Sequence, residues 1–249
     1  MGRNIAIGIQ DFGDLIQKKY FYIDKTSFLK EWWEKGDSVT LITRPRRFGK
    51  TLNMSMTEQF FSMDYAGRGD LFEGLFIWRE EKCRKLQGTY PVISLSFANV
   101  KEVNYVNTRE RICQLLTNKT NPWLERGLMT GITRVSKESI FSDLNNLEVV
   151  TTTSDRYATS FGFREQEVFQ ALTECGLEQE KEKVKQWYDG FIFGKYKDIY
   201  NPWSILNFLD KKSLQRIGQT PVPIAWWVSS FGKKTAESRR SSRYFCREE

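Results

Sequence analysis

The distribution of apolar and polar residues predicts a strand, a loop and a helix in the first part of the chain. Residues 38–43 (SVTLIT) are short, apolar and β-branched, which is typical of a buried strand. After a loop, apolar residues recur at helical spacing through Leu52, Met56, Phe60 and Met63. Strand, loop and helix in this order are the surroundings that a phosphate-binding loop requires.

The same pattern predicts further elements on either side. IDKTSFLKEWWEKGDS has helical spacing, with Asp24 or Thr26 as its N-terminal cap and Gly36 near its end. Residues 90–97 (YPVISLSF) and 128–135 (LMTGITRV) mix apolar and small residues, as buried parallel strands do. The first half of the chain therefore has the composition of an α/β core.

Beyond Val150 the pattern becomes mostly helical. REQEVFQALTECG is a predicted helix that stops at Gly176, EQEKEKVKQWYDG is a second, and WSILNFLD opens a third after Pro202. FIFGKYKDIYNP is typical of a hairpin. We predict a smaller, mostly helical lobe over residues 151–210, following an α/β core over residues 5–150.

Composition excludes several classes of protein. The 249 residues contain no histidine, which excludes histidine acid–base catalysis and Ser-His-Asp triads. The four cysteines form no C-x-x-C pair, so we expect reduced thiols and no zinc site. No apolar run approaches the length of a membrane span, and the first residues lack the apolar centre of a signal peptide. We therefore expect a soluble, cytoplasmic protein without a membrane partner.

The net charge of +7 is concentrated at the C-terminal end. Residues 211–249 carry nine Lys or Arg and three Asp or Glu, so residues 1–210 carry 29 basic and 28 acidic groups. The main part of the chain is electrically balanced. A uniformly basic face for nucleic acid is therefore weakly supported.

The loop RPRRFGKT (residues 44–51) fills the last three places of the P-loop pattern G-x-x-x-x-G-K-[ST] with Gly49, Lys50 and Thr51. Arg44 stands where the first glycine belongs. In a P-loop, backbone N–H groups surround phosphates at a helix N-terminus. Lys50 would reach the β- and γ-phosphates, and the Thr51 hydroxyl would bind Mg²⁺.

The rest of the loop completes the predicted cofactor-binding set, which is Arg44, Pro45, Arg46, Arg47, Phe48, Gly49, Lys50 and Thr51. Pro45 fixes φ at about −65° and makes the first turn rigid. The three arginines add positive charge beside the phosphates. A basic cluster also suits a solvated surface or an RNA contact, so nucleic acid stays an alternative partner.

Eight segments between Ile5 and Asp210 resemble, in order, the bacterial AAA-ATPase-like family. They are YFYIDKTSFLKEW, LITRPRRFGKTLNMSM, LFEGLFI, YPVISLSF, GITRVSKESIFSDLNNLEVV, SFGF, WYDGFIFG and IYNPWSILNFL. The family consists of predicted P-loop ATPases, commonly followed by a nuclease-like domain of the PD-(D/E)XK type. Its members carry R-P-R-R-F-G-K-[ST] as their Walker A form, so the resemblance implies ATP and Mg²⁺ as ligands and makes Arg44 a family feature.

The acidic strand that hydrolysis requires is missing from this sequence. Such a core holds Mg²⁺ and activates water with an acidic pair at the end of a second apolar strand, the Walker B strand. The resemblance places that strand between ISLSF and GITRVSK, where no apolar run ends in Asp or Glu. We interpret this as an internal deletion. In a sheet with the strand order 5-1-4-3-2, the Walker B strand lies between the strands at Ile93–Phe97 and Gly131–Val135. Its loss would leave these two strands to pair directly with each other.

Three residues are candidates for the missing catalytic groups. Asp24 follows the apolar YFYI and is the candidate substitute carboxylate, although a capping role also fits it. Thr130 and Arg134 lie on or beside the predicted strand that could carry a polar sensor group near the γ-phosphate. A structural role is the alternative for both.

The resemblance stops after Asp210, and we interpret residues 211–249 as a frameshifted, disordered tail. We therefore predict an incomplete P-loop NTPase-like core, within an AAA-ATPase-like domain over residues 5–210. It would bind ATP–Mg²⁺ but hydrolyse it poorly or not at all. Two alternatives remain: an active ATPase that uses Asp24 or a partner's carboxylate, and a basic nucleic-acid-binding module that acts through the arginines and the tail. The sequence predicts no oligomeric state.

Overall fold

The structure is a computed structural model that describes residues 4–94, 126–132, 147–188 and 190–214. The helices are α1 (Phe12–Gln17), α2 (Ser27–Lys35), α3 (Lys50–Phe61), α4 (Glu81–Arg84), α5 (Glu165–Glu174), α6 (Lys181–Tyr188) and α7 (Pro202–Lys211). The strands are β1 (Val39–Thr43), β2 (Gly127–Gly131), β3 (Leu147–Val150), β4 (Phe163–Arg164), β5 (Phe191–Phe193) and β6 (Tyr196–Tyr200).

A parallel sheet in the order β2-β1-β3 forms the centre of the core. β1 is buried along its whole length, as its continuous apolar and β-branched sequence predicts. Thr43 at its end is in register with Gly131, and Ile42 is in register with both Thr130 and Val150. The mixed α/β fold class is confirmed.

Aromatic side chains fill the core around this sheet. Phe28 of α2, Phe60 of α3 and Phe161 are fully buried in one cluster. Phe28 meets Phe161 edge to face with ring centroids 5.4 Å apart, and Phe60 meets Phe72 in the same way at 5.0 Å. Burial of such side chains is the main source of folding free energy, so α2 and α3 are held against the sheet mainly by these rings.

After β3, the described residues form the α-helices α5, α6 and α7 and a small antiparallel sheet in the order β4-β6-β5. The predicted hairpin is β5 and β6, and the three predicted helices are α5, α6 and α7. Asn201 caps α7 because its side-chain oxygen accepts the N–H of Trp203 at 3.0 Å. β4 was missed because it is only two residues long.

Asp24 supports the residue at which α2 begins and caps no N–H of the first turn. Thr26 is the N-cap, and Oδ1 of Asp24 accepts its N–H at 2.8 Å and its hydroxyl at 2.6 Å. Oδ2 of Asp24 accepts the N–H of Phe76 at 2.7 Å. Gly36 ends the helix with a φ of 77°, the left-handed conformation that a C-terminal glycine supplies.

The predicted strand at 90–97 is not found where the structure describes it. Tyr90 makes an isolated bridge to Ser62, and residues 91–94 have no regular structure. Residues 95–97 and 133–135 lie outside the described residues, so the predicted pairing of these segments stays a prediction. The predicted tail from residue 215 onward also lies outside them. Within the described ranges, no helix combines the length and hydrophobicity needed to cross a membrane.

A buried ion pair connects the segment before α2 to the first turn of α5. Nζ of Lys25 lies 2.6 Å from Oε2 of Glu167 and also donates to the carbonyl of Thr159 at 2.9 Å. Glu167 in addition accepts the N–H of Arg164 at 2.8 Å and so caps α5. Burial lowers the pKa of Lys25, and the charge of Glu167 opposes that effect.

We predict that Glu167→Gln lowers the free energy of unfolding by about 3 kcal/mol, because a buried ammonium group then loses its counter-charge. Chemical denaturation of both proteins measures this difference. The control Glu174→Gln removes an exposed carboxylate of the same helix, so its effect should stay within about 0.5 kcal/mol. Equal effects of the two substitutions would contradict the structural role of the ion pair.

Candidate functional site

The loop of residues 44–49 leaves the sheet at the end of β1 and turns directly into α3. The N–H of Arg44 donates to the carbonyl of Gly131 at 3.1 Å, which extends the β1–β2 pairing by one bond. Arg47 and Gly49 have φ values of 68° and 75°, both left-handed. No atom lies within 4 Å of a Cβ built on Gly49, so glycine is required there for its backbone angle and not for space.

The N-terminus of α3 has no side-chain cap among the described residues. Gly49 is the N-cap residue, and the first turn contains no acidic residue. Thr51 lies exposed in that turn. The first N–H groups of a helix and its dipole attract anions, so this end of α3 is suited to a phosphate.

Lys50 lies across the loop. Its Nζ donates to the carbonyl of Arg44 at 2.8 Å and to the carbonyl of Pro45 at 2.6 Å. An ammonium group has three N–H donors, so a third remains for an anion. Partial burial lowers the pKa of Lys50, and the positive charges of Arg46 and Arg44 lower it further.

Arg44 does not face the open side of the loop. Its side chain is fully buried and donates to the carbonyls of Thr43, Thr151, Arg156 and Tyr157. The sequence predicts that this charge lies beside the phosphates, whereas the guanidinium is directed into the interior.

The other predicted loop residues divide between solvent and the protein interior. Arg46 is exposed, and the Arg47 guanidinium lies 4.7 Å from the ring centroid of Trp203. Phe48 is fully buried against Phe191 and Phe193 of the hairpin, with centroids 5.0 and 5.3 Å away. Phe48 therefore anchors the loop to the second sheet.

A cavity of about 320 Å³ opens beside the loop. Gly49, Lys50 and Thr51 line one part of it. The N-terminal segment around Gly8 and the side chain of Trp203 line another. The indole Nε1 of Trp203 is buried and has no hydrogen-bond partner among the described residues. The sequence pattern does not predict that either segment lines a site. Residues 201–203 (NPW) indicate only a helix start and part of a family motif.

Of the three candidate catalytic residues, the structure describes Asp24 and Thr130. Asp24 lines a different cavity of about 780 Å³, and its oxygens accept the hydrogen bonds of the α2 cap. Thr130 lies on β2, opposite Ile42 and one residue before the carbonyl that binds Arg44. Arg134 lies outside the described residues. Among the described residues, no cluster of three or more Asp, Glu or Cys side chains suits a metal ion.

The comparisons with known proteins agree with the motif in the loop. Residues 6–125 match the family of predicted AAA-ATPases. An uncharacterized protein in the vnfD 5′ region of Azotobacter chroococcum mcd 1 is 24% identical over 284 residues, which take in 86% of this chain and 53% of that relative. This chain thus spans about half the length of the relative. No solved structure matches.

The alignment with the Azotobacter protein is longer than this chain. Because 86% of 249 residues is about 214, about 70 of the 284 aligned positions fall opposite gaps in this chain. The family match includes β1, the loop and α3. Residues 6–125 are therefore similar to the predicted AAA-ATPase family.

Proposed function

We propose that this chain binds ATP with Mg²⁺ at the N-terminus of α3 and hydrolyses it poorly or not at all. The observation that carries the proposal is the uncapped α3 N-terminus, with Lys50 lying across the loop and a cavity opening beside it. Backbone N–H groups, a helix dipole and a lysine then act on the same anion. The family match supports the same class of ligand.

Lys50 is suited to the charge of a polyphosphate. Nζ keeps its two bonds to loop carbonyls and offers its third N–H to the ligand, or exchanges one carbonyl for a phosphate oxygen. The neighbouring cations that lower its pKa are themselves attractive to an anion. An incoming phosphate would therefore raise the pKa of Lys50 and relieve the repulsion between these cations.

The described residues could hold Mg²⁺ only together with a bound phosphate. The Thr51 hydroxyl, exposed in the first turn of α3, is the protein group that would bind it. Phosphate oxygens and water would supply the remaining ligands, as is usual for this ion. When bound, Mg²⁺ neutralises charge on the β- and γ-phosphates.

The cavity gives the nucleoside a place beside the phosphates. Its volume of about 320 Å³ lies at the small end of ligand sites, and apolar surface dominates its lining. Trp203 supplies an aromatic ring and an unpartnered N–H donor. A base stacked on this ring would add affinity that inorganic polyphosphate lacks.

Weak hydrolysis is the part of the proposal that rests on a missing group. Asp24 is engaged in the α2 cap and lines another cavity, which disfavours the alternative that makes it the catalytic carboxylate. The gaps of about 70 positions in the Azotobacter alignment support an internal deletion. A carboxylate from a partner remains the alternative source.

The nucleic-acid alternative is weakened by the position of Arg44. Of the three loop arginines, Arg44 is buried on backbone carbonyls and Arg47 lies against Trp203. Only Arg46 extends into solvent without either of these contacts. The cluster therefore presents less charge to a nucleic-acid backbone than its sequence suggests.

We predict that Mg-ATP raises the thermal unfolding midpoint. A ligand at one hundred times its Kd adds about 2.7 kcal/mol of stability, and for a domain of this size that corresponds to roughly 5–10 °C. Lys50→Ala should abolish the shift, whereas the control Lys183→Ala, which removes an exposed lysine of α6, should keep it. Equal shifts in both variants would contradict binding at this loop.

We further predict that purified protein releases phosphate from Mg-ATP at a rate indistinguishable from that of Lys50→Ala. A colorimetric phosphate assay measures both rates. Turnover that disappears in Lys50→Ala would instead show an active ATPase, and loss in Asp24→Asn would then assign the carboxylate. DNA binding that survives Lys50→Ala but is lost on deleting residues 211–249 would favour the nucleic-acid-binding module.

A further inference from the structure

Arg44 occupies the place where the P-loop pattern has its first glycine. A glycine there serves a tight turn, whereas Arg44 fills the space beneath the loop with a buried guanidinium. We infer that Arg44 is a positioning residue: its guanidinium fixes the loop on residues 151–157, and its carbonyl, with that of Pro45, sets the position of Lys50 Nζ. The expected effect on Mg-ATP binding rests on the proposed function, whereas the contacts of the guanidinium do not.

The guanidinium is held by carbonyls from two segments. Nη1 donates to Thr43 at 2.9 Å and to Thr151 at 2.8 Å, which joins the ends of β1 and β3. Nη2 donates to Arg156 and to Tyr157, each at 3.3 Å. The flat group also lies near two rings, 5.0 Å from the centroid of Phe193 and 5.7 Å from that of Phe161.

The charge of Arg44 is balanced by these carbonyl dipoles. Its described hydrogen-bond partners include no carboxylate, and Asp37 and Glu148 both bond to the neighbouring Arg156. Burial lowers the pKa of Arg44 to about 10, so the group stays charged at neutral pH. A lysine has no planar fork and cannot bond to both pairs of carbonyls at once.

The backbone of Arg44 connects the carbonyls around its guanidinium to the candidate site. The N–H of Arg44 donates to Gly131 at the end of β2, and its carbonyl accepts Nζ of Lys50. Pro45 follows with a restricted φ, and its carbonyl is the second acceptor for Nζ. A displacement of the guanidinium is therefore passed to Lys50 through a single residue and a rigid turn.

The test compares Arg44→Lys, which keeps the charge but loses the fork, with Arg44→Gly, which restores the first glycine of the P-loop pattern. The pKa of Lys50 is measured from its rate of acylation across a pH series, with the modified peptide identified by mass spectrometry. We expect this pKa to rise in both variants, because Nζ would move from a partly buried position into solvent, and burial is the main cause that lowers its pKa. In Arg44→Lys the rise cannot come from a lost charge. Mg-ATP affinity should fall at least tenfold.

Chemical rescue separates positioning from a general loss of structure. Millimolar methylguanidinium should raise the unfolding midpoint of Arg44→Gly and return the Lys50 pKa towards that of the parent protein, with no effect on the parent. Arg46→Gly, at the exposed neighbouring position, should leave the unfolding midpoint unchanged. If Arg44→Gly does not fold, the Lys50 pKa in Arg44→Lys decides the question by itself.

Two results would overturn the inference. One is a Lys50 pKa in Arg44→Lys equal to that of the parent protein, and the other is an Arg44→Gly variant as stable as the parent that binds Mg-ATP as tightly. Failure of the parent protein to bind Mg-ATP would refute the proposed function only, because the Lys50 pKa and the rescue by methylguanidinium require no nucleotide.

Discussion

Parallel pairing of β1 with both β2 and β3 determines where everything else in the core can lie. Since the three strands run the same way, Thr43, Gly131 and Val150 end at one edge of the sheet. The loop, the sensor candidate Thr130 and the segment that follows β3 are thereby neighbours, although more than a hundred residues separate the two ends of this group. Ligands of open α/β sheets bind at this carboxyl edge for the same geometric reason.

The loop is fixed by two buried side chains that extend in different directions. Arg44 is held beneath it by backbone carbonyls, and Phe48 is held in an aromatic cluster with the hairpin. Gly162 allows the second contact, because a Cβ there would lie 2.6 Å from Ile199 and 3.0 Å from Phe48. With both side chains engaged in the interior, Gly49, Lys50 and Thr51 are the loop residues that we propose for ligand binding. Rigid anchoring of this kind preorganises a binding site and lowers the entropic cost of binding a ligand there.

Contacts from distant parts of the chain also close the candidate site. Lys25 and Glu167 form a buried pair, with Lys25 lining the smaller cavity and Glu167 the larger one. Trp203, at the start of α7, lies over the guanidinium of Arg47. A ligand in the smaller cavity would therefore affect the contacts made by the first turns of α5 and α7. The candidate nucleotide site depends on the second sheet and its helices as much as on the loop.

Local sequence determined the elements whose stabilising contacts are local. The strand–loop–helix unit, the cap of α2, the glycine that ends it, and the hairpin each depend on residues a few positions apart, so their patterns could be interpreted correctly. The motif likewise predicts that Lys50 and Thr51 lie at the start of α3, because it spans neighbouring residues. β3 and β4 were missed because they are short strands that are stabilised by partners far along the chain.

Only the tertiary structure decided what the loop arginines do. The sequence presents Arg44, Arg46 and Arg47 as equivalent charges, and nothing local distinguishes them. Burial of Arg44 depends on carbonyls that lie more than a hundred positions away, and the contact of Arg47 depends on Trp203 at a still greater separation. The sequence by itself determined that a loop ending in Gly49, Lys50 and Thr51 stands between a strand and a helix. Which side chains face that loop's open side, and which support it from beneath, was decided by packing between segments that the chain order keeps apart.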